Sequence, residues 1–452
     1  MRWDTTTLGF LIALPLLSAS AALGAPAAIE ECTGVEDSKL LKPEQLKAKL
    51  AGPVGGTRQI TVQATSIQVD AREIPAGMTL KYAARLTADG ADGHFCCWSA
   101  LWVAQDGREL KAVSDNGKWM TAAIRERADG TLDDLAATIG DLRCDNKGGL
   151  VSEKERREHD SPESMVRFAD GSWLVGFECG ELCEGEDIRN RRLHRLRLYP
   201  AGSEAEGGGL AAPPHAAQPL PSDFLHQPAD RGPEAVTVLA GDRPLIFSEN
   251  HYRRRGNECG VTRAWVAKRP WSEIAGPADW EELRYPLQRM PSQSSDPKLK
   301  GAETCYEVTG VAALPPTLFG ADSFIILERR FEPGDVMHVR LATSSVAGLR
   351  AGHQPRPIFL RTEGKGLSME RRLLDNFEGI AVTPIEGGVA IWLIADDNAD
   401  SDGYKPCSAD NPGEPEGCQR TLLLRLDYTT RTQSTRRTSG PSDQFAPAPD
   451  RE

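Results

Sequence analysis

At 452 residues, with 40% hydrophobic side chains and a formal net charge of −12, the chain can bury a substantial core and is not an intrinsically disordered protein. The acidic balance excludes nucleic acid and anionic membrane surfaces as partners, because both demand a basic face. It favours cations or basic ligands instead.

Arg2 is followed by an apolar run from Leu8 to Leu17 and then by small residues through Ala25. This pattern predicts a signal peptide over 1–25, cleaved after Ala22, Gly24 or Ala25. Pro15 and the Ala/Ser/Gly-rich end favour removal over retention as an anchor, and no later apolar run could span a bilayer. Ile29-Glu-Glu-Cys32 lacks the apolar box that a lipidated cysteine needs. The expected mature protein is periplasmic or secreted, with no stable membrane insertion after cleavage.

Residues 26–56 form a polar segment with one short helical candidate, Pro43 to Leu50, and residues 429–452, rich in Ser, Thr, Pro and Arg, read as a disordered tail. Between them, residues 57–428 show short apolar runs separated by Gly, Asp and Pro, with almost no 3.6-residue periodicity. That is a β pattern, and it repeats. Asp160 to Glu178, Gly232 to Glu249, and Asp375 to Val382 with Ile391 to Asn398 each read as strand, turn and second strand ending in an acid. Trp98 to Asp115 and Glu307 to Arg330 are further copies, and each unit is followed by another strand-like run.

Three or four strands per repeat, starting about 60 to 75 residues apart, predict an all-β fold, a β-propeller of five or six blades with inserted loops. A blade cannot bury both faces alone, so the blades must close into a ring. The stretch beginning at Gln59 is the candidate strand for closing the last blade.

Ten cysteines fit an oxidising compartment and disulfide-stapled loops. Cys179/Cys183 and Cys407/Cys418 are spaced for local bridges. A zinc site is the rival reading, but there is no Cys-x-x-Cys pair, the adjacent Cys96 and Cys97 cannot easily chelate one ion together, and the eight histidines are scattered.

In a propeller the entry to each inner strand and the end of the second strand open on one mouth. Asp115, Glu163, Glu178, Glu234, Glu249, Glu328, Glu378 and Asp397 are therefore expected to converge, and their mutual repulsion calls for cations or protons. Calcium is the expected neutraliser, because it takes many oxygen ligands in irregular geometry. Asp115, Glu163, Glu178, Glu234 and Glu249 are the candidate metal ligands. Asp375, Glu378, Asp397 and Glu328 are the candidate catalytic acids, and Arg329, Arg330, Asn376 and Asn398 the candidate substrate-binding residues. In the competing reading the acids only terminate strands and pair with Arg329, Arg330 or backbone amides.

Asn398 to Gly403 resembles the first half of a calcium loop but has Ala409 where the bidentate Glu should stand. No Gly-x-Ser-x-Gly elbow, phosphate-binding Gly-rich loop or His-Glu-x-x-His motif occurs. Ser99 can serve as a nucleophile only if a base approaches it in space. His159 and His251 lie beside the acidic positions but read as solvated loop residues.

Leu110 to Trp119, Phe324 to Phe331, Asp375 to Ala381, Leu393 to Asn398 and Arg420 to Leu424 resemble the phytase-like family, described as having esterase-like activity of phytase. The resemblance runs roughly from Thr79 to Tyr428. It implies a secreted or periplasmic bacterial propeller whose repeated Glu and Asp serve phosphoester hydrolysis, acting on a small phosphate or carboxyl ester. The chain departs from the family at Cys96-Cys-Trp-Ser-Ala-Leu101, where Gly-Gly-Leu-Ser-Gly-Leu is usual, and at Ser164, where Gly is usual. Bulkier residues there are expected to narrow the mouth or alter its backbone. The rival function is a non-catalytic propeller that binds a protein or polysaccharide in the cell envelope.

Overall fold

The computed structural model of the protein describes residues 57–67, 77–88, 95–143 except 116, 161–178, 195–202, 204, 208–212, 232–249, 260–291, 303–332, 336–359, 376–396 and 421–429, with positions 69, 74 and 214. The expected signal peptide, the segment 26–56 and nearly all of the tail lie outside them. Among the described residues no helix is long and apolar enough to cross a membrane.

Apolar runs broken by turn residues make strands, because a half-buried pleated surface suits the branched and aromatic side chains that fill them. Two N-terminal strands come first, β1 (Arg58–Ser66) and β2 (Met78–Ala88). Blade 1 comprises β3 (Trp98–Val103), β4 (Glu109–Ser114), β5 (Lys118–Ala123) and β6 (Leu135–Asp141). Blade 2 comprises β7 (Ser161–Arg167), β8 (Trp173–Glu178) and β9 (Arg195–Tyr199). Blade 3 comprises β10 (Ala235–Leu239), β11 (Arg243–Phe247), β12 (Val261–Ala267) and β13 (Trp280–Pro286), followed by a hairpin of β14 (Arg289–Pro291) and β15 (Glu303–Cys305). Blade 4 comprises β16 (Glu307–Ala313), β17 (Ser323–Glu332), β18 (Val336–Ser345) and β19 (Arg356–Phe359). Blade 5 comprises β20 (Asn376–Ile385), β21 (Gly388–Asp396) and β22 (Leu422–Thr429).

Within each blade, consecutive strands pair antiparallel. The inner strands β3, β7, β10, β16 and β20 adjoin one another in that order, and β20 in turn adjoins β3. The described residues thus close into a five-bladed β-propeller.

The closing strand is β2, which pairs antiparallel with β22 and completes blade 5. The expected closer, β1, instead lies between β2 and β6, bridging the outer edges of blades 5 and 1. Burial explains the exchange. Beside β22, Tyr82, Ala83, Ala84 and Leu86 of β2 are all buried, whereas β1 buries only Val62 and Ala64 and suits an outer position.

Five apolar cores fill the five gaps between blades. Trp98, Leu101 and Met120 face Trp392 and Ile394 across blades 1 and 5, and Val113 and Trp119 face Trp173, Val175 and Phe177 across blades 1 and 2. Leu174 and Leu196 meet Ile246 and Trp265, Leu245 and Phe247 meet Phe324 and Ile326, and Leu327 and Leu341 meet Phe377 and Leu393. Each such side chain, fully buried, contributes roughly 1.5–3 kcal/mol. The blades are held by one another rather than by internal cores.

Cys305 is disulfide-bonded, while Cys96 and Cys97 are buried thiols. The spacings Cys179/Cys183 and Cys407/Cys418 lie outside the described residues.

Candidate active site at the axial mouth

Near its start the inner strand of four blades skips one residue in its pairing, and the skipped residues are Ser99, Glu163, Thr309 and Glu378. Pairing resumes with a small residue in every case: Ala100 with Val113, Ser164 with Gly176, Gly310 with Leu327, and Gly379 with Ile394. In blade 3 the matching pair is Ala235 with Phe247, which puts Glu234 at the equivalent place. A bulge re-aims one side chain while the strand continues. Repeated around the axis, it forms a ring of Ser99, Glu163, Glu234, Thr309 and Glu378.

The small residue after each bulge faces a neighbouring blade. A Cβ on Gly310 would come within 2.6 Å of the Glu378 carbonyl oxygen, and one on Gly379 within 2.9 Å of the Leu101 nitrogen. Ser164 occupies such a position, and its hydroxyl donates to the Pro233 carbonyl of blade 3 at 2.6 Å. The other departure from the family pattern includes a residue with a left-handed backbone. Cys97 has φ +66°, a left-handed conformation that glycine adopts without penalty and other residues adopt at a cost.

Counting two residues on from each resumed pair, the second strands bring Asp115, Glu178, Glu249, Arg329 and Asp396 to the same end of the propeller. Of the acids expected there, Asp115, Glu163, Glu178, Glu234, Glu249 and Glu378 hold these register positions. Glu328 does not. Successive strand residues point to opposite faces, so Arg329 takes the ring position and Glu328 is fully buried against Arg340, whose Nη2 donates to it at 2.7 Å. Arg330 also lies away from the ring, buried and set over the Tyr306 ring at 5.5 Å. At the end of β21 the ring acid is Asp396. Asp375, Asp397, Asn398, His159, His251 and the Asn398–Gly403 loop lie outside the described residues.

Arg329 ties the ring together. It donates through Nη1 to Glu378 and, at 2.5 Å, to Asn376 Oδ1, and through Nη2 to Glu249 at 3.2 Å. Asn376 Nδ2 donates to Glu378 at 3.0 Å and to Asp396 at 3.3 Å. Burial disfavours the Arg329 cation, but Glu378, Glu249, Glu234 and Glu307 outweigh it and hold the guanidinium more firmly protonated than usual. Glu178 accepts from the Gly232 amide at 3.1 Å, fixing the approach to Glu234.

The acids are not equivalent. Burial, with the charges of Glu378 and Glu249, pushes Glu163 up to about 7, while the Ser161 and Ser99 hydroxyls, hydrogen-bonded to it, oppose the rise. Burial, with the charges of Glu249, Glu163, Glu178 and Glu378, raises Glu234 well above the carboxylate range. The mouth therefore combines protonated and ion-paired carboxyls, an arrangement suited to acid–base chemistry. Among the described residues no three side chains of His, Cys, Asp or Glu are gathered closely enough to hold a metal ion. The ring positions lie on five separate blades, and Arg329 engages two of the acids.

Sequence reasoning missed Ser99 and Thr309 as ring positions because it followed acids alone. The signal that finds them is the small residue next along, shared by all five repeats.

Residues 94–399 match the phytase-like family, described as esterase-like activity of phytase. No curated protein matches the chain. Among solved structures it is similar to an endo-arabinase from Bacteroides thetaiotaomicron VPI-5482, with 10% identity, 75% of this chain and 96% of that chain covered, and a TM-score of 0.40. It is also similar to an α-L-arabinofuranosidase from Lactobacillus brevis, with 11% identity, coverages of 79% and 94%, and a TM-score of 0.38. These likenesses are too distant to carry an argument, and the fold assignment stands on strand order and ring closure.

Proposed function

Since the chain belongs to the phytase-like family, we propose that it is an exported hydrolase of phosphate esters whose chemistry takes place at the axial mouth. The supporting observation is the ring itself: Glu163 and Glu378 occupy equivalent bulges of blades 2 and 5, one near neutrality and the other ion-paired with Arg329. A carboxyl poised near neutral pH can both take up and return a proton, so Glu163 is the proton-transfer group. Glu378 and Asn376 hold Arg329 in place as a fixed positive charge in an otherwise acidic mouth.

An anionic ester entering this mouth meets carboxyls whose charge must be offset. Arg329 and the protons on Glu163 and Glu234 do part of this. Calcium, in this reading, is a counter-ion that arrives with the substrate rather than a resident centre, and no step is routed through it. Export follows from the segment 1–25, and the partner is a small ester rather than nucleic acid or membrane.

The test is kinetic. Glu163→Gln keeps the shape of the side chain and removes its proton transfer, so kcat/KM on a phosphate ester should fall by about 100-fold or more with the fold retained. Activity of E163Q close to that of the unsubstituted protein would remove Glu163 from the chemistry. A folded wild-type protein with no turnover would favour the envelope-binding propeller, in which the acids are structural.

A further inference from the structure

We infer that Cys96 and Cys97, thiols in this structure, close on one another as a vicinal disulfide when the chain is exported, a modification site at the entry to the inner strand of blade 1. The inference takes from the reading above only the export of the chain and is independent of hydrolysis.

The cysteine count points to it first. Setting Cys96 and Cys97 aside from the ten cysteines leaves eight, an even number that can pair completely among themselves. Cys305 is one of these and is disulfide-bonded, to neither Cys96 nor Cys97. In an oxidising compartment the two that are left over have only each other.

Local geometry agrees. In an extended strand successive side chains point to opposite faces, but Cys97 has φ +66°, which breaks that alternation just before β3 begins. The two thiols are in hydrogen-bond contact. Adjacent Cα atoms stand about 3.8 Å apart, closer than the roughly 4.4–6.8 Å of an ordinary bridge, so the small ring is strained and readily reduced wherever a thiol can reach it. Burial prevents that here: Cys96 is 3% exposed and Cys97 not at all. For the same reason the bond forms before the chain has folded, while both sulfurs are open to solvent.

The bond acts on the mouth through the backbone. The Cys97 carbonyl accepts from the Asp115 amide at 3.0 Å, so a closed ring holds the start of β3 against the end of β4 where both reach the mouth. A left-handed residue other than glycine is costly, and a ring that restricts the unfolded chain at this point offsets part of the cost.

The oxidant is a protein or small-molecule disulfide. One cysteine thiolate attacks it, forming a mixed disulfide and displacing one of its sulfurs. The second cysteine attacks the first and displaces the other sulfur. The two cysteine protons end on the two displaced thiols, and two electrons pass to the oxidant.

The test is peptide mass mapping of the exported protein, unfolded in iodoacetamide without reductant and digested with trypsin. Cleavage after Arg85 and Arg108 isolates the pair on a peptide, Leu86 to Arg108, that contains no other cysteine. It is expected unalkylated and two hydrogens lighter than the dithiol, taking up two alkyl groups only after reduction. Dithiothreitol should leave the bond closed in the folded protein and open it in urea. Cys305 is the internal measure of oxidation. A peptide alkylated twice without reduction, or joined to another cysteine peptide, in protein whose Cys305 is bonded would overturn the inference. The result is read on the unsubstituted chain, so no variant has to fold.

Discussion

Arg329 sits against two carboxylates and an amide, and removing it strands Glu378 and Glu249 without their cation. Arg329→Met should cost on the order of 3–5 kcal/mol in urea unfolding, and more at about pH 8 than at about pH 5, where the stranded acids can take up protons. A loss near zero at both pH values would show that Arg329 does not hold the ring. Glu163 gives a second residue-scale expectation. Its native value of about 7 lies above its ordinary 4.5, so the folded state binds the proton more tightly. Its contribution to stability is present below the ordinary value and is lost as pH rises through 7. Glu163→Gln should flatten the fall in Tm across that window, and an unchanged profile would contradict the assignment. Much of this was readable from recurrence alone: Asp115, Glu163, Glu178, Glu234, Glu249 and Glu378 all hold ring positions. What recurrence could not resolve was parity. Glu328 and Arg329 are neighbours in one strand, and a one-residue difference sends the acid into a buried pair with Arg340 and the arginine to the mouth.

At the scale of the element, parity is set by the bulge, and composition does not announce a bulge. Phe377-Glu-Gly and Pro162-Glu-Ser read as plain strand, yet the pairing skips their central residue. The small residue that follows is what permits neighbouring inner strands to approach. Gly379→Ala would press a methyl group to 2.9 Å from the Leu101 nitrogen and 2.4 Å from Ile394 Cγ2. We expect a loss of about 1–3 kcal/mol by denaturant unfolding, the usual cost of overpacking. A neutral substitution would mean that the blades are not locked at this contact. The N-terminal strands show the same limit of sequence reading. β1 has the alternation of a strand, and so was the natural candidate for closure, but partner choice depends on which strand has apolar side chains to bury. Tyr82, Ala83, Ala84 and Leu86 gave that place to β2.

For the whole molecule, the ring follows from repeated units that cannot bury their faces alone, which is why cores between blades and the propeller class were foreseeable. The number of blades was not, because long inserted segments obscure the repeat length. Closing five blades rather than six brings the equivalent positions of blades 1 and 5 together and makes one acidic mouth with Arg329 in its ring. The measurement that tests the central claim most directly is hydrolysis of a panel of phosphate monoesters, phosphate diesters and carboxyl esters by the purified mature protein, with calcium and then with chelator. The account predicts turnover of phosphate esters, with monoesters losing the most when calcium is withdrawn because they carry the most charge into the mouth. Folded protein that turns over none of the panel in either condition would contradict it.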